Sequence, residues 1–234
     1  MKVFAQLALA ASVAWMSSSA LAMTDPSANA GRPAASALAG TDASSDARYV
    51  EHWIREKGDD HGRPFAIVDK KAARIFVFAP GGRLVGASPT LLGLARGDVP
   101  IPGAGRKDPS RLLPYERRTP AGRFESMPGR NLHGEEVVWV DYDTGIAIHR
   151  VRPGRSLPRR LHNLALPGAE DKRMSLGCVV VPESFFYGVV LPTLGHSHGT
   201  VYVLPEDGPV QALFADPAAP RVASTKVAVS TDDR

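Results

Sequence analysis

The chain of 234 residues contains one cysteine, Cys178, and seven histidines. A single thiol excludes an intramolecular disulfide framework and any zinc site built on several thiolates. It can serve as a nucleophile if a base takes its proton, because the thiolate is the attacking species. Its surroundings suit that role. Ser175-Leu176-Gly177-Cys178 leads from a turn into the apolar run Val179-Val180-Val181. A glycine before the thiol lets substrate approach the backbone, and peptide N–H groups at a strand edge can face a developing oxyanion. Six histidines could supply the base: His61, His133, His149, His162, His196 and His198. His149 ends the run Gly145-Ile146-Ala147-Ile148, so a rigid strand would present it at an edge. His162 stands 16 positions before Cys178, in a loop or short helix beginning Arg159-Arg160-Leu161. His196 and His198 share a Gly195-to-Gly199 turn with no nearby carboxylate to complete a ligand set, and they read as a solvated loop. No metal and no cofactor is expected.

The elements that must hold these residues are mostly strands. Glycine and proline number 22 and 20, which favours a turn-rich chain over a helical bundle. One helix is expected over 45–57, capped by Asp46, with Tyr49, Val50, Trp53 and Ile54 on one face. β-Branched and aromatic runs at 65–68 and 74–78, joined by a polar stretch, read as a hairpin. Further strands are expected at 83–87, 122–125, 137–140, 145–148, 178–181 and 200–204, with a short helix over 183–190 opened by Pro182. Two irregular connections interrupt them. One is 96–118, with four prolines and three glycines, and the other is the arginine-rich segment from 151 to 160. The division is a leader at 1–22, a flexible tether at 23–44, a helix and linker at 45–63, a mainly β domain at 64–206 and a mobile tail at 207–234.

Residues 1–22 have the pattern of a secretory signal: Lys2, an apolar stretch over 3–15 broken only by Gln6, and Ala20-Leu21-Ala22 as a cleavage pattern. The apolar run is shorter than the roughly 20 residues a membrane span needs, so no stable membrane insertion is expected after cleavage. Net charge is +4, too mild and too scattered for a nucleic-acid partner. An unpaired cysteine in an oxidising compartment must be buried, paired with another chain, or kept as a reactive thiol.

Three motifs in order resemble the L,D-transpeptidase catalytic domain (YkuD-like) of bacterial cell-wall enzymes. Thr119-Pro120-Ala121-Gly122-Arg123-Phe124 is similar to the family's T-P-x-G-x-F strand, Ile148-His149-Arg150 to its I-H-G element, and Ser175-Leu176-Gly177-Cys178 to its S-x-G-C. The resemblance spans about Phe65 to Pro205. Arg150 stands in the glycine position, Val180 stands where the family commonly has Arg or Asn, and 29 positions separate His149 from Cys178, so 150–171 reads as an insertion. The resemblance implies a β-sandwich or barrel with a few short helices, in an exported, periplasmic enzyme of a Gram-negative envelope. It implies Cys178 as nucleophile and His149 as base, with His162 the alternative base. Gly177 and Cys178 N–H groups would be oxyanion donors, Ser175 would support the turn, and Arg173 would bind a stem carboxylate. Substrates would be peptidoglycan tetrapeptide stems, as donor and acceptor, or a wall-attached envelope protein as acceptor. The same residues would serve an L,D-carboxypeptidase or amidase, and an inactive wall-binding module is the remaining alternative. The arginines at 150, 152, 155, 159 and 160 read as a solvated insertion or as a lid that attracts an acidic substrate.

Overall fold

Continuous apolar runs bury both of their faces, and the centre of this fold is built on two of them. The computed structural model describes residues 36–214. The expected leader at 1–22, most of the expected tether and the last part of the expected tail lie outside the described residues. The observed strands are β1 (Phe65–Asp69), β2 (Arg74–Phe78), β3 (Leu84–Pro89), β4 (Leu92–Gly93), β5 (Gly122–Arg130), β6 (Glu136–Asp141), β7 (Ile146–Arg150), β8 (Arg173–Ser175), β9 (Val179–Val181) and β10 (Gly199–Val203). Eight of them form one sheet in the order β3-β2-β1-β10-β5-β6-β7-β9, and β4 pairs with β8. β1 and β10 are parallel, with Phe65 opposite Thr200, and every residue of both is buried.

The sheet curls until its ends nearly meet. Past β3, Leu91 exchanges two backbone hydrogen bonds with Val180 of β9, at 2.8 and 2.9 Å. The two edges are therefore joined through one residue pair, which gives the expected mainly β, barrel-like domain. Alternate residues point inward: Ala66, Val68, Ile75, Val77, Val138, Ile148, Val179 and Val201 share one core. The segment after β9 caps that core with Phe186, Val190 and Leu194. It runs as α3 (Glu183–Phe185), a π-turn over Phe186–Val190 and α4 (Leu191–Leu194), beyond the expected end at 190. The looser turn precedes Pro192, which has no N–H to give to a preceding carbonyl.

Helix α1 (Ser45–Lys57) has the expected bounds, but its cap is Ser44, whose hydroxyl accepts from Ala47 N–H at 3.1 Å. Asp46 instead pairs with Lys71 at 2.8 Å. The helix lays Ala47, Val50 and Ile54 on the outer face of β1, β2 and β10, against Phe65, Ile67, Phe76 and Tyr202. Two boundaries are corrected here. Within the expected tether, Leu38 and Ala43 are buried in this outer cluster, and Ser36 donates to Glu51 at 2.6 Å. Within the expected mobile tail, Val210 is buried in a turn over Val210–Leu213, and the Phe214 ring lies 4.0 Å from that of Trp53. Leu38 stands alone among small residues and Val210, Leu213 and Phe214 make only one turn of apolar spacing, yet the sheet's outer face needs covering and recruits them.

If Leu38 is core, Leu38→Ala lowers unfolding free energy by about 2–5 kcal/mol in urea titration, whereas a free tether would leave it unchanged.

Candidate active site

Strands β7 and β9 run side by side in parallel, with Ile148 opposite Val179 and His149 opposite Val180. Ile146, Ile148, Val179 and Val181 face the inner core. Period-two alternation then sends Ala147, His149 and Val151 to the outer face, together with Cys178 and Val180. Cys178 and Val180 do pack there with Val151, Leu91 and Leu164. Cys178 and His149 are thus diagonal neighbours on one face of two adjacent parallel strands. The sheet brings them together across 29 positions because the intervening chain leaves β7 and returns beside it.

The turn carrying the thiol is stapled from both sides. Ser175 Oγ donates to Cys178 O at 2.7 Å and accepts from Gly177 N–H at 3.1 Å. Gly177 has φ +132°, and a Cβ there would lie 2.7 Å from Ile146 Cδ1 and 2.8 Å from Arg118 O. Thr119 Oγ1 donates to Gly177 O at 2.7 Å and accepts from Gly93 N–H at 2.9 Å. The Thr119 carbonyl accepts from Lys70 Nζ at 2.9 Å. Lys70 is fully buried and also meets Gly97 O at 2.8 Å, Asp98 at 2.7 Å and Glu206 at 3.4 Å. A buried ammonium ion fixes the β1–β2 hairpin, the 94–118 connection and the turn before Cys178 to one another.

The electrostatics describe a neutral resting pair. Burial pulls the His149 imidazole down to about 4, helped by the positive charges of Arg152 and Arg160. His149 Nδ1 lies 2.7 Å from Arg150 O, so the neutral ring carries its proton on Nδ1 and keeps a lone pair on Nε2. Burial pushes the Cys178 thiol up, while the Ala147 N–H and the Arg152 charge pull it back. Cys178 Sγ also lies 3.6 Å from Gly145 O. Both groups are uncharged at neutral pH, so the pair rests as a neutral thiol and a neutral imidazole.

The other expected site residues fall out differently. Gly177 N–H is already engaged by Ser175, so it is not free for an oxyanion, and Ser175 acts on the turn. Arg173 is turned inward: it pairs with Glu170 at 3.3 Å and with the buried Glu206, which removes it from substrate binding. His162 lies on helix α2 (Leu157–Ala165) and is exposed, with Leu164 facing the sheet instead. It stands on the solvent side of α2, away from the face of Leu157 and Leu164 that packs with Cys178. His196 and His198 are exposed in the turn before β10. Among the described residues, no group of three or more His, Cys, Asp or Glu side chains could hold a metal ion, and no helix is long and apolar enough to cross a membrane. The 150–171 segment is an ordered α2 over the site, anchored by Leu157 and Leu164, rather than a fully solvated insertion.

Sequence reasoning missed Lys70, Asp98 and Glu206 as supports of the site. Asp69-Lys70-Lys71 has the look of an exposed hairpin turn, and only the fold drives Lys70 inside. It also missed Glu135, which accepts from Asn131 at 2.9 Å and from Arg150 at 2.8 Å and lies 2.8 Å from Arg152.

No family model matches the chain, and no curated protein matches it. Among solved structures, the chain is similar to an L,D-transpeptidase of Enterococcus faecium, at 19% identity over 61% of this chain and 50% of that one, with a TM-score of 0.33. It is similar to the L,D-transpeptidase of Xylanimonas cellulosilytica at 15% identity, covering 61% of this chain and 60% of that one, with a TM-score of 0.37. The helical cell shape determining protein Pgp2 of Campylobacter jejuni matches at 16% identity, over 68% of this chain and 55% of that one, with a TM-score of 0.40. In each case the matched part is less than two thirds of the other chain.

Replacing Thr119 by Val leaves Gly93 N–H and Gly177 O without a partner inside the protein. Unfolding free energy is expected to fall by about 2 kcal/mol, with Thr119→Ser restoring most of it, as measured by urea denaturation.

Proposed function

We propose that this chain is a cysteine acyltransferase with the chemistry of an L,D-transpeptidase, acting in the periplasm on peptidoglycan tetrapeptide stems. The observation that carries the chemistry is the placement of Cys178 and His149 on one face of two adjacent strands, with the imidazole Nδ1 tied to Arg150 O and Nε2 left as a base. The substrate class rests on the order of the three motifs ending at Phe124, His149 and Cys178.

In the first half-reaction His149 Nε2 takes the proton from Cys178 Sγ as the sulfur attacks the carbonyl carbon of the third stem residue. The tetrahedral oxyanion is met by the Cys178 N–H, since Gly177 N–H is engaged by Ser175. The C–N bond to the terminal D-alanine breaks, and the imidazolium gives its proton to the departing amine. A thioester remains on Cys178. In the second half-reaction an acceptor amine attacks that carbonyl, its proton passes to His149, and the C–S bond breaks to return the thiol. Water as acceptor would make the same site an L,D-carboxypeptidase. Arg152 favours negative charge on sulfur as the attack proceeds.

Incubation with a carbapenem is expected to add one covalent mass to the parent and none to Cys178→Ala, by intact-protein mass spectrometry. His149→Ala should slow acylation by about 10²–10⁴-fold, and His162→Ala should leave it unchanged. A folded parent without the adduct would remove the enzymatic reading in favour of a wall-binding module. Analysis of the products from wall fragments then tells cross-linking from hydrolysis.

The pH profile has a definite sign. His149 is a base only when neutral, so acylation rises as pH increases through about 4 and stays level across neutrality. The raised thiol adds a second rise only in the alkaline range. A rate climbing through pH 6–7 would show an ordinary, exposed imidazole instead.

A further inference from the structure

Arg152 and Arg160 are two cations beside the Cys178–His149 pair with too little negative charge to answer them. Arg152 follows β7 by two residues, next to Val151, which packs with Cys178, and its charge acts on both His149 and Cys178. Arg160 sits on α2 between Leu157 and Leu164, at the helical spacings i+3 and i−4 from them. Those two leucines pack against Val151, Val180 and Cys178, so the face that carries Arg160 is the one turned toward the thiol. Arg160 is accordingly half-buried while its neighbours Arg159 and Leu161 are exposed.

The local acids do not neutralise this pair. Glu135 is shared between Arg150 and Arg152, at 2.8 Å each, and Glu183 lies 3.6 Å from Arg150. Arg152 Nε is buried and, despite its nearness to Glu135, its N–H is aimed at no acceptor. Arg160 makes no side-chain hydrogen bond or ion pair among the described residues. Burial, and then the like charge of Arg152, hold its guanidinium below the ordinary arginine value. Both arginines also act on the charge state of His149. Guanidinium groups left this way bind planar oxyanions through paired N–H donors.

We propose that Arg152 and Arg160 form a carboxylate-binding clamp that seats the free carboxylate of a peptide substrate next to Cys178. The identity of that substrate rests on the proposed acyltransferase function; the clamp itself is set by Arg152, just past β7, and Arg160 on α2. A carboxylate bridging the two guanidiniums would offset their mutual repulsion and give Arg152 Nε–H an acceptor. It would hold the adjoining carbonyl over the thiol, and α2 would act as a specificity element rather than as a passive insertion.

Two alkylating reagents of nearly equal size probe this directly. Cys178 Sγ displaces iodide from iodoacetate or from iodoacetamide: an S–C bond forms, a C–I bond breaks, and the thiol proton leaves with the base. The two reagents differ chiefly by a carboxylate. The measurement is the ratio of their second-order rate constants at Cys178, set against the ratio for free cysteine in the same buffer. The intact chain should favour iodoacetate over iodoacetamide relative to free cysteine. Arg160→Gln should lower the ratio by about tenfold, the factor that a charged hydrogen bond of about 1.4 kcal/mol represents, with the iodoacetamide rate little changed. Arg159→Gln, on the exposed face of the same helix, should keep the parent ratio. A parent ratio equal to that of free cysteine overturns the clamp, and this arm stands even if Arg160→Gln does not fold. So does an Arg160→Gln variant that retains the parent ratio or loses both rates equally, or an Arg159→Gln variant that falls as far. Acylation by a tetrapeptide, assayed on the same protein, separates the two proposals. Acylation without anion preference removes the clamp alone, and anion preference without acylation removes the peptide-stem substrate alone.

Discussion

A single buried ammonium ion underlies the geometry of the site. Lys70 lies with no exposure to solvent, held by Asp98 at 2.7 Å, by Glu206 and by the carbonyls of Gly97 and Thr119. A charge in that position must be surrounded by oxygens, so the groups that surround it are fixed in place. They come from the connection after β4, the segment entering β5 and the segment leaving β10. Through Thr119 the same constraint reaches Gly177 O and the turn that presents Cys178. Through Glu206 it reaches Arg173, whose guanidinium is thereby committed to structure. Acid holds less firmly here: hydrogen bonds to Lys70, Glu206 and Asp207 keep the Asp98 carboxyl below its usual value against the opposing effect of burial. That contribution to folding is present above the ordinary carboxylate range and is lost as pH falls through the lowered value.

With the turn anchored, the chemistry follows from strand alternation. β7 and β9 each place one side in the core and the other under α2, and Cys178 and His149 share the side under α2. Partial burial keeps both members neutral at rest. An imidazole at about 4 is a weaker base than an exposed one, and the surrounding arginine charges lower it further. The Arg152 charge also pulls the Cys178 thiol down against the effect of burial, so one field favours the neutral imidazole and the ionised sulfur alike.

Much of this was legible in the residues. Helix α1 over 45–57, the first hairpin and the short strands near 137–140, 145–148 and 200–204 follow from periodicity and turn chemistry, because their burial is of the kind that local pattern reports. The second half of β5, from Met127 to Arg130, was not. It turns from β10 to β6, and its burial alternates too weakly to leave an apolar signal. Leu38, Val210 and Phe214 were hidden for a related reason. Leu38 is an isolated apolar residue and Val210 and Phe214 belong to a single short turn, and their packing depends on a sheet face made by residues far away in sequence.

The site divides along the same line. The sequence by itself determined that Cys178 has no disulfide partner within the chain, that it follows a glycine at the entry to a strand, and that His149 ends a strand of its own. These are properties of residue type and immediate neighbours. Only the tertiary structure decided which histidine shares the thiol's face, because β7 and β9 pair in parallel while α2 leaves His162 in solvent. It also decided that Arg173 is bound by Glu206, and that Arg160 faces the site with no acid to pair with it among the described residues. Charge partners and burial are set by which distant segments meet, and no local pattern carries that information.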